Sequence, residues 1–493
     1  MEISKWLPKF KVSAERDTNI GNYFYDNGVI IKIMDKDKWL VLGRKGTGKT
    51  ALYKYLNDYL KKDNFDNKTI IPFNFSSYPW PVHNLYKETS QNNLNSYKKS
   101  WKFLFYTQIF SQLIAKKERN KIKLSSELKL IKSIFKNIYG KPEFAVNDTL
   151  KSKLLSIKKI SLPGIDLESL DWSLTLGTLE FDDVDVSVDD IKKIRNNVFS
   201  LLNYLEKAIS KELKDENFII LIDNLDEDWL IENIEQSKLL ITNLLSTINE
   251  INNNIKGVKI ITFLRVDIFE ELKFNDKNKF SQDTAVEIKW SKKDLEEMLF
   301  SRIIKFAPSE FLNKEKDNVN VLFNYKKVKY NSLPIHYILK QTFFRPRDIL
   351  VFVNIMSDES QKKRTKTKYF TPEIIYNSEN EYSTYLYDEI MDEWSNQKPS
   401  ISDYLAVIQS IGKPKFKYNE YLITIAQHFA FKEEKMNVSK SKVIEILKFL
   451  FSISVVGQVH KGKIIFNVDK PFHQININEN FVVNYGLHKR LSI

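Results

Sequence analysis

The segment Gly43-Arg44-Lys45-Gly46-Thr47-Gly48-Lys49-Thr50 has the pattern G-x-x-x-x-G-K-[ST], and it follows the apolar stretch Trp39-Leu40-Val41-Leu42. These residue types in this order suit the gripping of a phosphate chain. Gly43, Gly46 and Gly48 let the backbone turn so that successive N–H groups face inward, and a helix starting near Lys49 adds its positive end at the same point. The Lys49 ammonium is placed to reach β and γ phosphates, and the Thr50 hydroxyl to take one position on Mg²⁺. The run that follows, Ala51-Leu52-Tyr53-Lys54-Tyr55-Leu56, is amphipathic, so the strand, loop, helix context is complete. A nucleoside triphosphate is the ligand this pattern implies.

A second chemical feature lies far downstream. Phe218-Ile219-Ile220-Leu221-Ile222 is a continuous apolar run, the pattern of a strand covered on both faces, and it ends in Asp223-Asn224-Leu225-Asp226-Glu227. Asp223, at the carboxyl end of that strand, is expected to hold Mg²⁺ through water. Asp226 or Glu227 is expected to orient the attacking water. Two more strands are predicted, at Val258–Arg265 and Val286–Trp290, and Ser291-x-x-Asp294 has the form of a capping box opening the next helix. Phe344-Arg345-Pro346-Arg347-Asp348 begins another helix.

Together these residues resemble bacterial AAA+/STAND-like P-loop ATPases, with KAP-type NTPases and origin-recognition ATPases as relatives; many such proteins sit in antiphage defence systems. The resemblance covers roughly residues 20–360. It implies ATP and Mg²⁺ as ligands, with Gly43, Arg44, Lys45, Gly46, Thr47, Gly48, Lys49 and Thr50 around the nucleotide and Thr50 and Asp223 at the metal. It implies a catalytic set of Lys49, Asp223, Asp226, Glu227, Arg265 and Arg347. Arg265, in the ending Thr262-x-x-Arg265, occupies the sensor 1 position, and pairing with Asp267 or Glu270 is its competing role. Arg347 takes the sensor 2 position, with Arg345 as second choice. Phe24 and Tyr25 are placed near the base, and Arg195 and Arg302 are candidates for an arginine acting in trans. One departure matters: AAA+ proteins carry Glu directly after the Asp of the second motif, and here that residue is Asn224. The acid is therefore expected to be displaced to Asp226 or Glu227.

The rest of the chain bounds the function classes. At 493 residues, about three domains are expected. The absence of cysteine removes disulfides, thiolate zinc sites and a cysteine nucleophile, and fits a reducing cytoplasm. The six histidines, at positions 83, 336, 428, 460, 473 and 488, form no close metal-ligand pair along the chain and are expected to be ordinary surface or core residues. No signal pattern is seen at the N-terminus, and the longest uncharged apolar run, Phe449–Val459, is too short to span a bilayer, so a cytoplasmic, membrane-free protein is expected.

Net charge is +13 and unevenly spread. Lys98 to Lys159 holds sixteen Lys or Arg against four acids, whereas Asp166 to Asp190 holds nine acids and no base. Such blocks suit either a phosphate-binding surface or two faces that neutralise each other. Lys362, Lys363, Arg364, Lys366 and Lys368 form a further basic run.

The expected fold class is α/β: a P-loop NTPase core of the ASCE, AAA+/STAND-like kind, with parallel strand order 5-1-4-3-2, a long mainly helical insertion, a helical lid and a C-terminal winged-helix-like domain. Residues 1–80 carry the N-terminal lead and first part of the core, 81–213 the insertion, 214–300 the second part of the core, 301–399 the lid and linker, and 400–493 the winged-helix-like domain. Within the insertion, Trp101, Phe105, Ile109 and Leu113 mark its first helix and Ile191 to Ile209 its last, with short strands between Ser161 and Val188. Near the C-terminus a helix at Val443–Leu450 precedes strands at Ile453–Gly457, Lys463–Val468 and Phe481–Tyr485. The function implied is a regulatory ATPase, a nucleotide-dependent switch or oligomeric sensor acting with a separate effector protein in antiphage defence. The alternatives are an ATP-dependent DNA-binding loader, for which nucleic acid is the partner, and a nucleotide-holding scaffold with little turnover.

Overall fold

Five strands rich in Ile, Val, Leu and Phe align in parallel in the order β2-β3-β4-β1-β5, which is the order expected from the sequence. They are β1 (Leu40–Gly43), β2 (Lys68–Asn74), β3 (Asn217–Asp223), β4 (Val258–Arg265) and β5 (Ala285–Glu287). The structure is a computed structural model and describes residues 2–62, 68–75, 97–139, 141, 199, 201–209, 211–225, 234–309, 319–323, 325, 327–362, 367–431, 439–468, 470 and 473–493. The chain divides into two units: Gly28–Arg44 with Lys49–Ile288, and Met1–Asn27 with Lys45–Gly48 and Lys289–Ile493.

In the sheet unit, every residue of β1 and all but the first of β3 are buried. That is the pattern of strands covered on both faces, so side chains need no polar alternation. The helix Lys49–Lys62 packs on β1, β2, β3 and β4. The spacing of Trp101, Phe105, Ile109 and Leu113 does form a helix, Lys98–Arg119, and all four are fully buried in one core with the sheet. The Trp101 indole N–H donates to the Leu240 carbonyl at 3.1 Å, and its ring meets Phe75 edge-on at 5.9 Å. This locks the helix Lys98–Arg119 to the helix Ile234–Asn254 and to the end of β2. Residues 201–209 are helical, with Leu201, Leu202, Leu205 and Ile209 in the same core. The expected strands of 161–188 and the start of that last helix lie outside the described residues.

In the other unit, Ser291 caps the helix Lys292–Ile303 as its sequence predicts. The Asp294 N–H donates to Ser291 Oγ at 3.1 Å, and the Ser291 N–H donates to Asp294 Oδ2 at 2.9 Å. The helices Pro346–Lys362 and Pro372–Trp394 pack together, with the Phe352 and Tyr382 rings 4.6 Å apart. Each opens on a proline, where the missing N–H costs nothing. The N-terminal lead is pinned to the first of them by Asn354, which accepts from the Phe10 N–H at 2.8 Å and donates to its carbonyl at 2.9 Å.

The C-terminal part contains the helices Ile401–Ile411, Tyr418–Phe431 and Lys440–Ser452 and an antiparallel sheet in the order β6-β9-β7-β8. Its strands are β6 (Lys415–Phe416), β7 (Val456–His460), β8 (Lys463–Ile465) and β9 (Phe481–Val483). The apolar run from Ile453 gives a strand only from Val456, because Ser454 takes a left-handed φ of 61° and turns the chain out of the helix first. The two-residue β6 carries too little pattern to be read from sequence. At Gly486 a Cβ would lie 2.0 Å from the Gln341 carbonyl oxygen, so only glycine lets this last segment settle onto the rest of the unit.

Candidate functional site

In the sheet unit, Gly43, Asp223 and Arg265 are the last residues of β1, β3 and β4. Because these strands are parallel, all three finish at one edge; Gly43 is in register with Arg265, and Asn74 of β2 with Asp223. The helix Lys49–Lys62 starts from this same edge. Lys49 Nζ donates to the carbonyls of Gly43 at 3.0 Å and Arg44 at 3.2 Å, so the ammonium lies folded into the loop. Thr50 is half-buried in the first turn. Asp223 is 2 % exposed. Tyr53, one turn into the helix, has its hydroxyl pKa pushed well up by burial and then by the Asp223 charge, so it stays protonated beside that carboxylate.

Asn224 is buried with φ 62°, and its amide donates to Asn74 Oδ1 at 3.3 Å. Asn tolerates the left-handed backbone better than Glu does, which gives a physical reason for the departure at this position. Arg265 folds back on Asp267, with Nε to Oδ1 at 3.1 Å and Nη2 to Oδ2 at 2.7 Å. Of its two anticipated partners, Asp267 is thus the one it forks onto.

The tip of the loop, Lys45–Gly48, belongs with the other unit. The Arg347 N–H donates to the Gly46 carbonyl at 3.4 Å, and Arg345 Nη1 donates to the Lys45 carbonyl at 3.2 Å. The indole N–H of Trp290 donates to the Thr47 carbonyl at 2.9 Å, and Tyr25 rests on that indole at 6.3 Å. Three main-chain carbonyls of the tip are therefore held from the same side of the sequence, by residues 290, 345 and 347.

The two arginines differ in surroundings. Arg345 is 4 % exposed, with Nε 3.2 Å from Asp348 Oδ1 and Nη1 3.0 Å from Glu393 Oε2. Burial alone would lower its pKa, but Asp348 and then Glu393 overcome this and keep the guanidinium charged. Arg347 is partly exposed and meets Glu389 Oε2 at 3.4 Å, the same oxygen that Lys45 Nζ approaches at 3.8 Å. Arg345 is thus a buried strut, and Arg347 a cation held loosely at the loop. Sequence reasoning missed Trp290, Asp348, Glu389 and Glu393. The one available signal was that Glu389 and Glu393 stand four apart on one helix face.

Several expectations fall elsewhere. Asp226, Glu227, Arg195, Lys363, Arg364 and Lys366 lie outside the described residues. Arg302, one of the two candidates for an arginine acting in trans, is 8 % exposed, pairs with Asp17 at 3.4 Å and stacks on Tyr23 at 4.6 Å. The bases after Lys98 are partly neutralised. Lys102 pairs with Glu250 at 2.6 Å and Glu206 at 3.1 Å, and Lys116 with Glu216 at 2.7 Å. The histidines fall into different surroundings. His460 and His473 come together with ring centres 5.2 Å apart, beside Glu479, because β7 and the segment before β9 run alongside each other. His336 and His428 pair with Glu296 and Asp403.

Residues 293–391 match the FunZ-associated C-terminal helical domain, FunZ_C. Over 487 aligned residues, 92 % of this chain, the sequence is 25 % identical to the "Putative transposon gamma-delta 80.3 kDa protein" of Escherichia coli (strain K12). The chain spans 62 % of that relative's length. Among solved structures it is similar to the Aeropyrum pernix ORC2 protein in its ADPNP-ADP complexes, with a TM-score of 0.42 and 10 % identity over 95 % of this chain and 94 % of that one. It is also similar to Cdc6p from Pyrobaculum aerophilum, with a TM-score of 0.30 and 10 % identity over 100 % and 96 % of the two chains.

Proposed function

We propose that the chain binds ATP with Mg²⁺ on the loop Gly43–Thr50, hydrolyses it, and uses the nucleotide as a switch. The observation that carries this reading is that a complete phosphate loop leaves β1 while β3, separated from it by β4, ends at the same edge in buried Asp223. Lys49 would leave the Gly43 and Arg44 carbonyls for the β and γ phosphates. The Thr50 hydroxyl and the Asp223 carboxylate are hard oxygen donors of the kind Mg²⁺ takes, and the ion when bound neutralises charge on the phosphates. Asp226 or Glu227 would orient the water, and Arg265 would report the γ phosphate on release from Asp267.

The switch element is the start of the helix Pro346–Lys362. An arriving phosphate competes with Glu389 for Lys45 and Arg347, and that exchange of partners passes to the helix through Arg347. In this reading residues 301–399 act as a helical lid and 400–493 as a winged-helix-like module. Protein contact is preferred to DNA contact there because Lys448 is the only base within Val443–Leu450, while Lys440 and Lys442, in the first turn of the same helix Lys440–Ser452, weigh against that preference. The output would be assembly with further copies and with a separate effector protein, as the antiphage resemblance implies; no nuclease, protease or deaminase constellation stands in the sequence.

The deciding experiment is ATP turnover and particle mass measured together, for the wild type and Lys49→Ala, with and without duplex DNA. Turnover that rises with assembly, ignores DNA and falls by about 10²–10³-fold in Lys49→Ala is expected. Stimulation by DNA would replace the switch with a DNA-binding loader. Binding without turnover in every condition would leave a nucleotide-holding scaffold.

A further inference from the structure

We infer that His460, His473 and Glu479 form a binding site for a zinc-class divalent cation in the C-terminal antiparallel sheet. One potential ligand atom from each of the three residues lies within 4.8 Å of the others. Two imidazoles and one carboxylate are a zinc-type donor set, and in such three-ligand sites water completes the tetrahedron. Bonds of about 2.0–2.2 Å would draw the three atoms roughly an ångström closer, within reach of side-chain rotation.

The surroundings prepare these groups for a cation. His460 ends β7, and its Nδ1 meets Glu479 Oε1 at 2.8 Å. Glu479 Oε2 is buried and has no hydrogen-bond partner among the described residues, which is costly for a carboxylate oxygen and is relieved by a metal ion. His473 packs on the Phe451 ring at 5.8 Å, and its Nε2 meets Gln458 Oε1 at 3.2 Å.

The Gln458 amide is oriented without help from the histidine. It is 0 % exposed, donates through Nε2 to the Asn476 carbonyl at 2.6 Å, and accepts at Oε1 from the Asn476 N–H at 2.9 Å. Since Oε1 can only accept, His473 Nε2 must donate. The neutral ring then keeps its lone pair on Nδ1, the arrangement in which an outer partner fixes the tautomer of a ligating histidine. The side chains of His460 and Glu479 are 38 % and 22 % exposed, so an ion and its water have a path in. Bound there, the ion would staple the segment before β9 to the end of β7.

The test is titration of the metal-free full-length protein with ZnCl₂ by calorimetry and with CoCl₂ by absorption, in the wild type and in His460→Ala, His473→Ala and Glu479→Gln. His336→Ala and His428→Ala serve as controls. One ion per chain is expected, with the visible bands of tetrahedral cobalt, a loss of affinity of at least about 100-fold in each of the three variants, and no change in the controls. Zinc is expected to raise the wild-type Tm by at least about 2 °C and to leave that of the three variants unmoved. Thermal unfolding of each variant without metal separates loss of the site from loss of the fold. Absence of binding in the wild type, or binding that survives all three substitutions, overturns the site.

Discussion

The main-chain N–H of Arg347 donates to the carbonyl of Gly46 at 3.4 Å, and a Cβ built on Gly46 would stand 3.2 Å from the Arg347 Cβ. Gly46 also has φ +81°, a conformation that L side chains rarely adopt. The loop tip therefore depends on glycine twice, for backbone shape and for the approach of the helix start. Gly46→Ala is expected to cost about 1–2 kcal/mol in the loop and to weaken nucleotide binding roughly tenfold. Binding of a fluorescent ATP analogue measures it, and an unchanged affinity would show that the native shape of the tip does not govern binding.

Arg345 and Arg347 are expected to fail in opposite ways. Replacing Arg345 with Met leaves Asp348, which is 0 % exposed, and Glu393 without their cation, and a loss of about 3–5 kcal/mol in unfolding free energy is expected. Arg347 is held by a partly exposed pair, so Arg347→Ala should change stability by no more than about 1 kcal/mol. Its effect should fall instead on turnover. Urea unfolding and ATP hydrolysis on the same two variants separate the roles, and loss of stability in Arg347→Ala would contradict the assignment.

The sheet was legible because parallel strands buried on both faces leave apolar runs; Phe218–Ile222 is continuous, Val258–Leu264 is interrupted only by Lys259 and Thr262, and the polar residues Asp223 and Arg265 end the two strands. The Ser291 cap followed from an equally local pattern, whereas the order of strands came from the resemblance to P-loop ATPases. The grip on the loop tip was not legible in that way. Trp290 looked like the last residue of a strand, but strand pairing stops at Glu287, and its indole turns to the Thr47 carbonyl. Glu389 and Glu393 are unremarkable acids in a helix until Arg347 and Arg345 arrive more than forty residues away in sequence. The contact between His460 and His473 likewise depends on how β7 meets the segment before β9, and no spacing rule encodes that.

Asn224 tests why this chain lacks the usual acid after Asp223. Its φ of 62° and its burial both oppose a glutamate: the backbone is strained for a larger side chain, and a charged carboxylate costs more to bury than the amide it would replace. Asn224→Glu is expected to lower stability by at least about 1 kcal/mol and to leave ATP turnover no faster than in the wild type. Asn224→Gly should be milder, since glycine takes this backbone freely. A faster Asn224→Glu enzyme would mean that position 224 can host the catalytic acid after all.

Lys259 offers a pH test in the sheet unit. Its Nζ donates to the Ile33 carbonyl at 2.6 Å and also to that of Asp35, beside the helix Val29–Met34. Burial lowers its pKa to about 8, only partly opposed by the charges of Asp35 and Asp37. Between about 8 and the ordinary lysine value of about 10.4, the unfolded chain binds more protons at this site than the folded one. Stability contributed by this group should therefore rise with pH across that window, by at most about 1.4 kcal/mol per pH unit, while below pH 8 the cost of burying the charge is present in full. Lys259→Met removes the titration, so the wild type minus variant difference in unfolding free energy should climb from pH 8 to pH 10 and stay flat from pH 6 to pH 7.5. A difference that is flat throughout would place the lysine pKa at its ordinary value and show that the two carbonyls compensate for burial.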